Sequence, residues 1–226
     1  VGAIGAMLLA KGEVDGMICG TWNTTASHLY YIDQVIGHRA DISVYACMNG
    51  LLLPGREVFL VDTHVNSDPS PGELAQITML AAQEMMRFGL QPKAALLSHS
   101  NFGTANDAGA RKMRETLAIL REQAPWLEAD GEMQGDVALD GELRAALMPG
   151  SVLKGNANLL VFPGIESANI AYNLLKTAAG GNIAVGPILL GTARPAHIMT
   201  ASTTVRRIVN MTAFTVADAA GGVERP

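Results

Sequence analysis

Apolar positions along this 226-residue chain fall into two alternating rhythms. Short apolar runs occur at Met17 to Cys19, Ile42 to Met48, Val58 to Val61, Lys93 to Ser98 and Leu159 to Phe162, and Gly, Pro or polar residues close them. Their length and strand-forming composition predict β-strands. Between them the apolar residues recur at helical spacing: Ile4, Met7 and Leu8; Leu29, Ile32 and Ile36 in a helix from His28; Met113, Leu117 and Leu120; Ile165, Ile170, Leu174 and Leu175. Ser70-Pro71-Gly72-Glu73 combines a Ser cap, a Pro in the first turn and a Glu placed for a capping box, so a helix is predicted from there to Phe88, with Gly89 as its stop. Further helices are predicted over Gly135 to Leu147, Ser167 to Ala178 with a Gly180-Gly181 stop, and Thr203 to Ala217, and a Gly-Pro-interrupted strand at "IAVGPILLG". Strands alternating with helices predict an α/β fold with a mostly parallel sheet covered on both faces.

Composition narrows the function classes. The chain is 49% hydrophobic and 16% charged, enough for a sizeable core in one large or two small domains. A net charge of -5 offers no broad basic surface, which argues against nucleic-acid and anionic-membrane partners while leaving room for a local basic pocket. Cys19 and Cys47 are too few for a disulfide framework and are expected to be buried, inert thiols. No apolar run approaches the ~20 residues of a membrane span and no signal peptide opens the chain, so the cytoplasm is the expected compartment. The chain starts without Met in an amphipathic helical pattern, the expected mark of a fragment cut from a longer protein.

Three loops at predicted strand ends gather small and hydroxyl residues: "GTWNTTAS" (20–27), "SHSNFGTAND" (98–107) and "PGIESAN" (163–169). Backbone N–H groups and hydroxyls at such places, backed by a helix dipole, suit phosphate oxygens. Neither GxxxxGK[ST] nor GxGxxG occurs in them, which removes a nucleoside-triphosphatase or dehydrogenase reading of this chain. Asp62, His64 and Asp68 fit no metal template, and a structural or surface role is expected for them. His99 and His197 are expected to flank the cleft, with no triad assembled from either. Arg206 and Arg207, early in the last helix, read either as an anion contact or as a solvated face.

The ordered segments "GEVDGMICG", "TTAS", "VNSDPSPGELAQI", "FGLQPKAALLSHSNFGT", "DGEMQGDVAL", "ANLLVFPGIESANI" and "GPILLG" span nearly the whole chain. It resembles the phosphate acetyl/butyryltransferase family, most of all the version fused to the C-terminal side of bacterial NADP-dependent malic enzymes. The resemblance implies two α/β subdomains with a ligand cleft between them: residues 1–35 and 196–226 as the remnant of the first, and 36–195 as the second. It implies acyl-CoA or phosphate contacts at Thr24, Thr25, Ser98, Ser100, Asn158, Asn169, Thr192 and Thr200. In this family the thiol of coenzyme A attacks an acyl phosphate, which takes a carboxylate to accept the thiol proton, an Arg on the phosphoryl charge and a hydroxyl. Those family positions read Arg207, Ala201 and Thr200 here, and a further basic position reads Tyr30. Loss of a general base costs about 10²- to 10⁴-fold and loss of an electrostatic donor about 10²- to 10³-fold. A regulatory and oligomerising domain that senses acetyl-CoA, without transferase activity, is therefore expected. Its partner would be the malic-enzyme catalytic domain, which alone would hold NADP and a divalent metal. The alternative is an active phosphate acyltransferase. Dimerisation through the second subdomain is implied, with helices such as Thr78 to Met86 as its surface.

Overall fold

A computed structural model describes residues 2–180 and 184–220. Eight helices, α1 (Gly2–Lys11), α2 (Thr25–Val35), α3 (Pro71–Arg87), α4 (Ala108–Gln123), α5 (Gly135–Leu139), α6 (Gly141–Leu147), α7 (Ile165–Ala178) and α8 (Val205–Ala219), are found among these residues. The strands are β1 (Met17–Gly20), β2 (Ala46–Leu53), β3 (Arg56–Val61), β4 (Lys93–Leu97), β5 (Glu128–Met133), β6 (Leu159–Val161), β7 (Ala184–Leu190) and β8 (Ala196–Met199). Six of them make one sheet in the order β5-β4-β6-β3-β2-β7, and β1 pairs with β8 in a small second sheet. Gly181 of the expected helix stop, Ile183 of the expected strand and residues 221–226 lie outside the described residues.

The sheet is mostly parallel, as the alternation of strands and helices predicts. β3, β6, β4 and β5 run parallel to one another. β2 is the exception, antiparallel to both β3 and β7, because the Pro54-Gly55 turn folds β2 and β3 into a hairpin. One face is covered by α3 and α4, whose Leu74, Ile77, Met85, Met113 and Leu120 meet Ala46, Val61, Leu96 and Leu159 of the sheet. The other is covered by α5 and α7 through Val137, Ala138, Ala168 and Tyr172. α1 and α2 pack Ala6, Leu9 and Ile32 onto β1 and β8 in a third cluster. Among the described residues no helix is long and apolar enough to cross a membrane.

Local chemistry sets the element ends. The capping box at α3 forms as read: Ser70 Oγ accepts from Glu73 N–H (3.3 Å) and Glu73 Oε2 accepts from Ser70 N–H (2.7 Å), a pairing of the kind worth about 1 kcal/mol. Gly20 ends β1 at φ 108°, and a Cβ there would stand 2.0 Å from Met199 O, so only glycine lets β1 lie this close to β8.

Three expectations are corrected. The strand expected over Ile42 to Met48 starts only at Ala46 and continues through Asn49-Gly50 to Leu53. The helix expected over Gly135 to Leu147 is two, broken at Asp140, whose carboxylate caps the second through the N–H groups of Glu142 and Leu143. Strand β5 lay in an acidic segment, EADGEM, that the apolar pattern passed over. Thr78 to Met86 turns one face into the chain's own core, with Thr78, Leu80, Ala81, Ala82 and Met85 buried, and keeps Met79, Gln83 and Met86 partly exposed on the other.

Candidate functional site

Because β3, β6, β4 and β5 are parallel, their carboxyl ends open on one edge of the sheet, where ligands bind in folds of this type. Five segments converge on a cavity of about 160 Å³: His64 after β3, Tyr172, Asn173 and Lys176 on α7, Pro187 in β7, Thr200 and Ser202 after β8, and Arg207 in the first turn of α8. Gly164 anchors α7 at this edge, since a Cβ there would lie 2.3 Å from Ser67 O and force the loops apart.

On α7 the polar residues form a ladder at helical spacing. Asn169 Nδ2 donates to Thr63 O (3.1 Å), Asn173 Nδ2 to Asn169 Oδ1 (3.1 Å) and Lys176 Nζ to Asn173 Oδ1 (2.8 Å). Lys176 Nζ also stands 4.9 Å over the Tyr172 ring, an i,i+4 cation–π contact. Thr204 caps α8, and Thr200 Oγ1 sits 3.3 Å from Ser202 Oγ and 3.4 Å from Thr203 Oγ1 in the turn before it.

The charge balance of the cavity is one-sided. Lys176 and Arg207 line it, with no Asp or Glu among the lining residues. Burial lowers the Lys176 pKa below that of an ordinary lysine, and the Arg207 charge lowers it further. His64 is pushed down to about 4, first by burial and then by the Lys176 charge, so at neutral pH it adds a neutral ring. The Tyr172 phenol is raised by burial, against the opposing pull of Arg207. Arg207 occupies the third position after the cap, where the helix dipole repels a cation.

The residues anticipated from sequence divide. Thr200 and Arg207 meet in the cavity, and Asn169 supports it through Thr63 and Asn173. Arg206 and Ala201 are exposed and absent from its lining, as is Tyr30, whose ring edge meets Tyr31. Thr24 caps α2 by accepting from Ser27 N–H, and Thr25 opens that helix. Ser98 and Ser100 follow β4; Ser100 Oγ donates to the buried Glu132 Oε1 (3.0 Å). Thr192 is buried in a bridge to His38. Asn158 lies at the opposite, amino end of β6, where Oδ1 accepts from Lys93 N–H (2.7 Å) and Nδ2 donates to Gln91 O (3.0 Å). Sequence reasoning missed Lys176 and Tyr172, and weighed His64 only as a metal ligand; the i,i+4 pair on α7 was the available signal.

Other candidates resolve into structure. The Asp62 carboxylate accepts from the N–H groups of Cys47, His64, Val65 and Asn66, and Asp68 pairs with Lys112. Among the described residues no group of His, Cys, Asp and Glu could hold a metal ion. His197 does not flank the cleft as expected: it is buried, Nδ1 accepts from Leu189 N–H (3.2 Å), and burial holds its pKa near 4. His99 is exposed, 3.5 Å from Ser98 Oγ and 3.4 Å from Asp107, too loose for a triad. Burial raises Cys19 to about 11 and Cys47 well above the thiol range, away from thiolate chemistry. A larger hollow of about 580 Å³ between β1 and α8 holds Asp15 and no cation, and so lacks converging chemistry.

A sequence model described as phosphate acetyl/butaryl transferase matches residues 2–216. The chain is similar to the NADP-dependent malic enzyme of Salmonella typhimurium (strain LT2), with 49% identity over 217 residues that cover 96% of this chain and 29% of that protein. It is 47% identical to the NADP-dependent malic enzyme of Escherichia coli (strain K12), over 96% of this chain and 28% of that protein. The chain thus spans less than a third of the length of these relatives. Among solved structures, a phosphotransacetylase from Streptococcus pyogenes superposes with a TM-score of 0.90 at 31% identity, covering 97% of this chain and 67% of that one.

Proposed function

The chain belongs to the phosphate acetyl/butaryl transferase family, and on that premise we propose that its role is regulatory: a phosphotransacetylase-like domain of an NADP-dependent malic enzyme that binds acetyl-CoA and has no transferase activity of its own. Its similarity to a region of two such malic enzymes supports the context. The observation that carries the loss of chemistry is Arg207, a cation facing the cavity where the family resemblance expects the carboxylate that would take the thiol proton. Ala201, exposed and without a charge, removes the other expected group. Either loss alone costs at least about 10²-fold. Binding outlives such losses because it needs the cleft and not a base, and regulation requires only about 1–3 kcal/mol of coupling between sites. Oxidative decarboxylation of malate, with NADP and a divalent metal, belongs on this reading to the malic-enzyme catalytic domain of the full chain.

The same reading divides the chain at the crossings expected near residues 35 and 195. The separate pairing of β1 with β8 supports that division. Assembly into a homodimer or larger oligomer is supported by Ile170 and Leu174, exposed apolar residues on α7. Calorimetric titration of the full-length protein with acetyl-CoA, beside malate oxidation kinetics, tests the proposal. Binding with altered malate kinetics is expected, and no binding with unaltered kinetics rejects it. A coupled assay for acetyl phosphate is expected to read background, whereas turnover near an ordinary enzyme rate, about 10 s⁻¹, establishes the active acyltransferase instead.

A further inference from the structure

Where α3, β7, β8 and the last turn of α8 meet, three buried polar atoms have no hydrogen-bond partner among the described residues: His197 Nε2, Arg87 Nε and Asp218 Oδ1. The first two are donors. His197 is 2% exposed and its Nδ1 accepts from Leu189 N–H (3.2 Å), so the neutral ring carries its proton on Nε2. Burial holds the His197 pKa near 4, the Asp218 charge raises it and the Arg87 charge lowers it, so both charges act on this ring. Asp218 Oδ1 faces Arg87 Nη2 across an ion pair of 2.6 Å, and Glu84 meets Nη1 of the same guanidinium at 3.0 Å. Phe214, one turn before Asp218, tilts over the imidazole at 5.1 Å between centroids, and Phe88 packs on Phe214 at 5.3 Å. Aromatic carbon offers neither donor an acceptor.

A buried donor left unpaired carries its full desolvation cost, so two of them call for a shared acceptor. Glu84 and Asp218 outweigh Arg87 by one negative charge, which disfavours an anion, and a cation has no lone pair to give. Water fits, since its oxygen accepts from both N–H groups and one of its protons goes to Asp218 Oδ1, the three bonds typical of an internal water. We propose that one internal water bridges His197 Nε2, Arg87 Nε and Asp218 Oδ1, and that this hydrated triad is a latch that positions α8 and, through it, Arg207. α8 has little else to hold it: Met211 and Thr215 are its buried residues, whereas Val205, Val209 and Val216 are exposed. None of the three latch residues lines the cavity, and Asp218 lies about 16 Å along the helix axis from Arg207, so they act on it through α8.

The test uses the full-length protein with no ligand added, so its outcome is independent of acetyl-CoA sensing. A crystal structure that orders water should show one molecule within about 2.7–3.2 Å of all three atoms. No water there, or a protein group in its place, overturns the hydration. Hydrogen exchange read by mass spectrometry tests the latch. Asp218→Asn keeps the shape of the side chain and should speed exchange over residues 205–212, at the far end of α8, at least tenfold while α4 stays at the parent rate. His197→Phe, which removes the Nε2 donor, should speed the same residues at least threefold, and Val216→Ala, on the exposed face of α8, should leave them unchanged. Faster exchange confined to the last turn of α8, or spread equally over α4, overturns positioning, as does an effect of Val216→Ala equal to that of Asp218→Asn.

Discussion

Two loop clusters at the same edge of the sheet share a small, hydroxyl-rich composition and differ in how their charge is settled. The one after β4 settles its charge on one oxygen, Glu132 Oε1, while Glu132 Oε2 is buried without a hydrogen-bond partner among the described residues. Glu132, fully buried, accepts through Oε1 from Ser100 Oγ, Gly103 N–H and Arg114 Nη1, each at 3.0 Å. Asn101 and Gln134 lock the loop reciprocally, with Gln134 N–H to Asn101 Oδ1 at 2.8 Å and Asn101 Nδ2 to Gln134 Oε1 at 2.9 Å. The cluster between α7 and α8 is open, with two cations and no carboxylate. Composition rates the two alike, while charge balance separates a loop that pairs its buried charge from one that lines its cavity with two cations and no carboxylate.

The sharpest way to break this contrast is to remove one cation from each side. Arg114→Met leaves Glu132 buried without its counter-ion and should destabilise the protein by about 4 kcal/mol. Adding Glu132→Gln should recover much of that loss. Arg207→Met relieves repulsion and should stay within about 0.5 kcal/mol of the parent. Urea unfolding of the four proteins decides; equal losses from the two arginine variants would show that both clusters are ordinary scaffold.

His64 reports the open cluster from inside. Unfolded, it titrates near 6.5, whereas in the fold its pKa lies near 4. Below about pH 6.5 the unfolded chain therefore takes up a proton that the folded one refuses. Stability present above that pH is lost as pH falls toward 4, by up to about 3 kcal/mol from this group. Lys176→Met should raise the His64 pKa and narrow the window, as followed by NMR titration of the imidazole. An unmoved pKa would mean that burial alone sets it, and the Lys176 charge would lose its place in the argument.

How far the sequence could reach depended on which force decided each feature. Helices α3 and α4 were legible because capping chemistry and apolar spacing agree at Ser70 to Glu73 and at Met113, Leu117 and Leu120. β5 was not legible, because two of its acids are buried for reasons of partnership: Asp130 accepts from Ser151 Oγ and Val152 N–H, and Glu132 meets Arg114. No local pattern announces such partners. β8 has four residues, too few for a period to show. In the site, the resemblance located Thr200 and Arg207, but Lys176 and Tyr172 come from a helix whose role depends on how α7 sits against α8. Hydroxyl and amide residues were the weakest guide, because these groups serve caps and clasps as readily as ligands.

Asn158 puts that last point to a test with a small effect. It was anticipated as a ligand contact, yet its side chain joins the amino ends of β6 and β4, accepting from Lys93 N–H and donating to Gln91 O. Removing both bonds in Asn158→Ala strands one partly buried N–H and one carbonyl that water can reach in part, so a loss of about 1 kcal/mol is expected in urea unfolding. Affinity for acetyl-CoA should stay at the parent value, since the cavity lies beyond the opposite ends of the strands. A tenfold weaker affinity with unchanged stability would place a ligand at the amino edge of the sheet, and the open cluster between α7 and α8 would no longer be the one built for binding.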